Sequence, residues 1–272
     1  MRQMKNIIII IAVFLITNAC SEDFINLAPF SQANAADFYK TANDFENAVN
    51  ASYDVLQDGR LYGSRFEFLL EVRSDNGEFN DPASNVGVPF NIDKFQVRAD
   101  NSWVEGAYDA LYDGVNRCNI VLGRIENVDF DAALANRLKG EVQFLRGLYY
   151  FHLVQLYGNV PLITAELLPS ETGTIKRDPV SEIYTQIETD LKAASSFLPV
   201  SYSQDDLGRA TQGAAYGLLA KVYLTQNKYS LAKIELEKVI NLNTYSLLPS
   251  VAAVFSPSNE MNAEILFADR FK

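Results

Sequence analysis

Residues Gly208–Ile240 read GRATQGAAYGLLAKVYLTQNKYSLAKIELEKVI. Two amphipathic runs flank a short polar break at Gln226–Lys228, the pattern of two helices joined by a tight turn. In the first run Tyr216, Leu219, Ala220 and Tyr223 share one face, and in the second Ala232, Leu236 and Val239 do the same. A single helical hairpin cannot bury both of its faces, so the other helices of the chain must stack on it.

The spacing of Tyr216, Leu219, Ala220, Tyr223, Ala232 and Leu236 resembles a tetratricopeptide repeat. Large residues fill the groove between the helices, and small Ala220 and Ala232 let the backbones approach. An ordinary helix pair could carry the same pattern, and one copy leaves both readings open.

The 272 residues are long enough for one large domain or two small ones. An apolar share of 48% and an aromatic share of 12% describe a globular chain. Net charge is −11, and −13 once Arg2 and Lys5 leave with residues 1–19. Such acidity argues against nucleic acid, whose phosphates call for a basic stripe.

Residues 1–19 read as a signal peptide. Arg2 and Lys5 form a positive start, and Ile7–Ile16 is an apolar run too short for a bilayer, which takes about 20 residues. Thr17-Asn18-Ala19-Cys20 then looks like a lipobox, which makes Cys20 the lipidation site, although Thr17 stands where such sequences usually carry Leu. A plain secretory peptide with Cys20 near its cut is the alternative. Ser21-Glu22-Asp23 is similar to the acidic tether of surface-exposed lipoproteins. Residues 20–36 read as tether and 37–272 as the folded part. The second cysteine, Cys118, falls on the apolar side of a helical pattern with Leu111, Val121, Leu122 and Ile125, as a small core residue would.

Further helices follow from periodicity and caps. Thr41 with Asp44 makes a capping box ahead of Phe45, Val49, Tyr53 and Leu56, and Gly59 is placed to close that helix in the left-handed conformation. Leu61–Asn101 is irregular beyond a short helix over Phe66–Val72, because Asp75-Asn76-Gly77, Asn80-Asp81-Pro82, Gly87 and Pro89 crowd it with turn formers. A long loop of this kind in a compact domain is more often functional than filler. Trp103–Ile125 and Asp131–Tyr157 are helical, the second stopped by Gly158 and Pro161. Asp178 as cap and Pro179 as first residue open a helix striped by Ile183, Ile187, Leu191, Ala194 and Leu198. Glu264–Ala268 reads as a short apolar strand, and its closeness to Lys272 suggests that the natural protein continues. The fold class is all-α, helical hairpins with long irregular loops.

Little in the chain points to catalysis. The single histidine, His152, sits in an aromatic helix and reads as a packing residue. No Cys/His cluster has zinc spacing, no Gly-x-Ser-x-Gly elbow occurs, and no Gly-rich loop would cradle a phosphate, so neither metal nor cofactor is expected. Acidic residues are plentiful, and none stands out as a paired acid and base of the glycosidase kind. Glu141 and Arg146 could form a partly buried charge pair. Trp103 could stack on a sugar or anchor the helix that it starts, and its register with Ala107 and Leu111 favours the anchor.

Taken in order, several segments carry a family likeness. They are the lipobox, Phe38–Thr41, Ala48–Asp54, Trp103 with Tyr108, Tyr112 and Asn116–Asn119, Gly140–Arg146, Tyr157–Thr164, Arg177–Val180, Asp190-Leu191, Gly208–Thr211 and Glu264–Phe267. Together they resemble the SusD/RagB family of nutrient-uptake lipoproteins, across nearly all of 20–272. The resemblance implies a SusD-like scaffold of tetratricopeptide-like helical hairpins with an irregular ligand face, and a binding protein instead of an enzyme. It implies a nutrient polymer such as a glycan as ligand, a SusC-like TonB-dependent transporter as partner, and lipid anchoring in the outer membrane facing outward. Family members run to roughly twice this length, so the C-terminal half is expected to be absent here. The ligand candidates within this part are Arg73, Asp75, Phe95, Asn101 and Trp103, chosen for loop position and for side chains able to hydrogen-bond or stack on sugars. An envelope adaptor that binds only protein is the alternative function.

Overall fold

A computed structural model describes residues 38–167, 169–203 and 206–270. Internal contacts divide the chain at Lys40/Thr41. In the first unit, Phe38 and Tyr39 meet edge to face at 4.7 Å. The expected signal peptide, Cys20 and the tether lie outside the described residues.

The second unit, from Thr41, is built of helices, with no strand among the described residues. They are α1 (Ala42–Asp54), α2 (Arg65–Glu71), α3 (Val88–Asp93), α4 (Ser102–Arg124), α5 (Ala132–Tyr157), α6 (Val180–Phe197), α7 (Gln212–Thr225), α8 (Tyr229–Asn241) and the single turn α9 (Val251–Val254). From α4 to α8 each helix packs on the next in chain order, and α1 lies against α4 and α5. The quoted hairpin is α7 and α8, with its break at the expected residues.

Local chemistry sets most helix starts. Thr41 Oγ1 accepts from Asp44 N while the Asp44 carboxylate accepts from Thr41 N at 2.9 Å, completing the capping box. Asn101, Asp131 and Thr211 cap α4, α5 and α7 through side-chain oxygens. Each such cap stabilises its helix by about 1 kcal/mol. Gly158, at φ 70°, ends α5.

α5 is the core. Leu138, Val142, Leu145, Tyr149, Tyr150, Phe151 and Leu153 point around its circumference and all are buried. A helix apolar on every side needs neighbours on every side, and α1, α4, α6 and α7 supply them. Tyr149 fits only because α4 carries Gly114: a Cβ there would lie 2.5 Å from the Tyr149 ring. The Tyr149 hydroxyl donates to Ser52 O at 2.6 Å, locking α1 to the same point.

The connection from α5 to α6, residues 158–179, begins as a strap over 158–166. It has one isolated bridge, Val160 with Asp178, so side chains satisfy much of its backbone. Arg146 donates to both oxygens of Asp190 at 2.8 and 2.6 Å, to Asn119 Oδ1 at 2.8 Å and to Thr164 O at 3.1 Å. Asn119 Nδ2 reaches Ile163 O and Ala165 O. The Tyr150 hydroxyl both donates to Ile163 O and accepts from Ile163 N.

Five expectations need correction. Gly59 is not in the left-handed region; α1 instead tightens into a 3-10 turn over Val55–Gln57. The irregular segment contains a second helix, α3, which Pro89 opens in its first turn, where its missing N–H costs nothing. Asp178 does not cap α6, because its carboxylate accepts from Leu162 N at 2.6 Å, and Asn159 Oδ1 accepts from Val180 N instead. Glu264–Ala268 forms no strand. In α8, Glu235 is buried between Ala232 and Val239 while Leu236 is exposed.

Glycine sites give a direct check. Gly114→Ala should destabilise the protein by roughly 1–3 kcal/mol through overpacking against Tyr149. Gly123→Ala, with nothing within 4 Å of the new methyl, should be neutral or stabilising by up to about 1 kcal/mol. Urea unfolding of both variants measures the contrast.

Candidate functional site

The segment between α1 and α4 is where the expected ligand residues fall. Buried side chains fix its ends: Leu61, Phe66 and Leu69 around α2, and Pro89 and Ile92 in α3. Gly87, at φ 76°, starts α3. Asn101 Nδ2 donates to Val88 O at 3.2 Å, tying the start of α4 to the start of α3. Lys94 bridges Asp93 at 2.9 Å and Glu78 at 3.2 Å, and Phe79 N donates to Asp93, which fastens the 78–79 turn to α3.

At the end of α3 the chain turns through Phe95 at φ 55°. A bulky residue in the left-handed region is strained by about 1–3 kcal/mol. The backbone N–H groups of Lys94, Phe95 and Gln96 bond back to Phe90, Ile92 and Asn91 and hold the turn. The Phe95 ring is left 67% exposed. The Arg73 guanidinium lies over it, 5.4 Å from the ring centre.

The five expected residues thus separate. Arg73 and Phe95 come together at the surface as one cation–aromatic unit. Asp75 is exposed two residues beyond Arg73. Asn101 is buried, its Oδ1 accepting from Trp103 N and Val104 N and its amide nitrogen donating to α3. Trp103 is likewise buried, with Phe68 at 5.7 Å and the Arg65 guanidinium 5.9 Å above its ring. Both serve the framework on which Arg73 and Phe95 stand. Phe68, Leu70 and Val97 are also exposed large apolar residues of this segment. A flat exposed ring beside a planar donor can stack on the apolar face of a sugar and hydrogen-bond its hydroxyls.

The charged candidates have other partners. Glu141 accepts from Arg137 at 3.0 Å and from Arg209 at 2.9 Å, linking α5 to the start of the hairpin, and it does not pair with Arg146. A cleft of about 300 Å³ opens beside it, lined by Asn50, Tyr53, Gln57, Arg209, Phe267 and Asp269 among others. Sequence reasoning had no signal for this cleft, since its walls lie more than 150 residues apart in the chain. Burial holds the Asp269 carboxyl above the usual range, against the pull of Gln57.

His152 shares a 2.7 Å hydrogen bond with the Tyr62 hydroxyl and meets Phe66 edge to face at 4.9 Å. Burial pushes its pKa down to about 4, so the ring is neutral at pH 7. It is a packing residue of the aromatic helix.

A helical-hairpin scaffold carrying an irregular, aromatic-bearing segment is the class of fold. The chain belongs to the SusD-like family, whose profile, described as starch-binding and associating with the outer membrane, matches residues 24–224. The SusD-like protein P25 of Formosa agariphila is 31% identical over 96% of this chain and 51% of its own length. A SusD-like protein of Bacteroides fragilis superposes with TM-score 0.79 at 29% identity, over 90% of this chain and 48% of that one. A laminarin-binding SusD-like protein superposes with TM-score 0.77 at 30% identity, over 84% and 51%. The chain spans about half the length of the curated relatives it matches.

His152 makes stability pH-dependent with a definite sign. An unfolded His titrates near 6.5, so between that value and 4 the unfolded chain binds more protons, and stability falls as pH falls. Lowering pH from 7 to 5 should remove about 2 kcal/mol through this group. His152→Gln should remove that part of the slope, measured by urea unfolding at both pH values.

Proposed function

We propose that the chain is the scaffold-bearing part of a cell-surface lipoprotein that binds a glycan and passes it to a TonB-dependent outer-membrane transporter of the SusC-like type. The observation that carries the binding step is Phe95: its ring is exposed on a strained backbone, with Arg73 beside it. Strain of this kind persists where the surrounding structure enforces it, and it gathers at ligand sites. The ring supplies a stacking face, the guanidinium supplies donors, and exposed Asp75 supplies an acceptor. Asn101 and Trp103 act in this reading as positioning residues, tying the segment to α4. One structural relative binds laminarin, which makes a β-glucan the first glycan to test. Cys20 is the proposed anchor, with lipid on its sulfur and the acidic residues after it leading away from the membrane.

Binding of laminarin and starch oligosaccharides, by calorimetry and affinity electrophoresis, tests the reading. Phe95→Ala should weaken binding by about tenfold or more, corresponding to about 1.4 kcal/mol, and Arg73→Ala should act in the same direction, with helical circular dichroism unchanged. Equal affinity of both variants and the parent would overturn the site. Fatty-acid labelling in a bacterial host tests the anchor: the parent should take up label and Cys20→Ala should not, and equal labelling would contradict it.

A further inference from the structure

The sequence contains a single Asn-Gly pair, Asn76-Gly77, and it falls in the segment that carries Arg73 and Phe95. The side-chain carbonyl carbon of an asparagine and the main-chain nitrogen after it can close a five-membered ring, an attack favoured by proximity. A Cβ on the next residue crowds that nitrogen, and hydrogen bonds can hold the reacting groups apart. Neither protection operates here. Gly77 has no Cβ. Asn76 is exposed, and its backbone N–H donates to Ser74 Oγ at 3.2 Å. Among the described residues, neither its side-chain amide nor the Gly77 N–H has a hydrogen-bond partner. The chain is fixed on both sides of this span, by Ser74 Oγ donating to Glu71 O at 2.7 Å and by Phe79 N donating to Asp93 at 3.3 Å.

The two Asp-Gly pairs, which could close the same ring, are held differently. Asp58 gives both carboxylate oxygens to Arg60 at 2.9 and 2.7 Å, which keeps it ionised and a poor electrophile. Asp113-Gly114 lies inside α4, with its carboxylate on Arg117 at 3.3 and 3.0 Å. We propose that Asn76 converts spontaneously, in the folded protein, into a mixture of aspartate and isoaspartate. The Gly77 nitrogen gives up its proton and bonds to Asn76 Cγ, the bond from Cγ to the side-chain nitrogen breaks, and that nitrogen leaves as ammonia. Water then opens the ring. Cleavage between the ring nitrogen and Cγ gives aspartate. Cleavage at the main-chain carbonyl carbon gives isoaspartate, whose backbone runs through Cβ and Cγ and is one carbon longer. Either product places a new carboxylate three residues from Arg73. Its effect on ligand binding rests on the function proposed above; the conversion itself does not.

Incubation of the folded chain in mildly alkaline buffer for several weeks, followed by trypsin digestion and mass spectrometry, tests the proposal. Cleavage after Arg73 and Lys94 isolates residues 74–94. Fragmentation should place the mass gain of amide-to-acid exchange at Asn76, and conversion should rise with pH as the Gly77 nitrogen loses its proton more readily. Gly77→Ala is the sharpest variant. Its methyl would meet Glu71 O at 3.4 Å, an ordinary contact, and Gly77 is not at positive φ, so the turn should be kept. Conversion should nevertheless slow by about tenfold or more, because the methyl crowds the attacking nitrogen. An unchanged Asn76 in the folded parent, where the urea-unfolded chain converts, would overturn the proposal, and so would equal conversion in Gly77→Ala. Calorimetry with laminarin reads the consequence. The converted protein and Asn76→Asp should each bind about two- to fivefold more weakly than fresh protein, the effect of one surface charge. Equal affinity would break the link between Asn76 and the ligand site. Fresh protein that binds no glycan would instead contradict the function proposed above and leave the conversion standing.

Discussion

One guanidinium holds four parts of this protein together. Arg146 stands on the central helix, grips both carboxylate oxygens of Asp190 on α6, donates to Asn119 Oδ1 on α4, and satisfies Thr164 O in the strap. Its side chain is almost wholly buried, as is that of Asp190. Burying two charges is expensive in itself, and such a pair is not simply a net gain in stability. What it gives is geometry: removing either partner leaves an uncompensated charge in the interior, at roughly 3–5 kcal/mol. Helix order, strap path and the spacing of α4 from α6 are therefore coupled. Burial, against the pull of the adjoining Arg146, pushes the Cys118 thiol up to about 12, so it packs as a neutral group.

A framework set in this way can support irregular chain elsewhere. The strap has little regular pairing, yet Tyr112, Tyr150, Asn119 and Asp178 satisfy its backbone groups one by one, and its own Asn159 accepts from Val180 N at the start of α6. The segment before α4 is supported differently, by buried Leu61, Phe66 and Ile92 and by the double role of Asn101. Only against such anchors can Phe95 keep a left-handed backbone and an exposed ring. Scaffold and candidate ligand face are separable in chemistry: buried charge and aromatics in the first, an exposed ring and a guanidinium in the second.

Much of the scaffold was legible because its signals are local. The capping box at Thr41, the Gly158 stop and the break at Gln226–Lys228 each depend on a few neighbouring residues. The misreadings share a cause. Turn formers hid α3 because Pro89 is tolerated in a helix's first turn as readily as in a loop. Asp178 looked like a cap, but its carboxylate is claimed by Leu162 N across the strap. Leu236 has the right spacing for burial, yet Glu235 takes the inner position, and spacing alone does not choose between neighbouring registers. Asp190 and Arg209, which pair with Arg146 and Glu141, lie 44 and 68 residues away from them, beyond any periodicity. At the candidate site, loop position picked out Arg73 and Phe95, which meet at the surface, together with Asn101 and Trp103, which are buried against α3 and Phe68.

The claim that Arg146 organises the strap is tested most directly by amide hydrogen exchange in Asp190→Asn, which keeps side-chain shape and removes the charge. The strap amides of Leu162 and Ile163 should exchange faster by about tenfold or more, with a smaller change across α7 and α8. Strap protection equal to that of the parent protein would contradict the account.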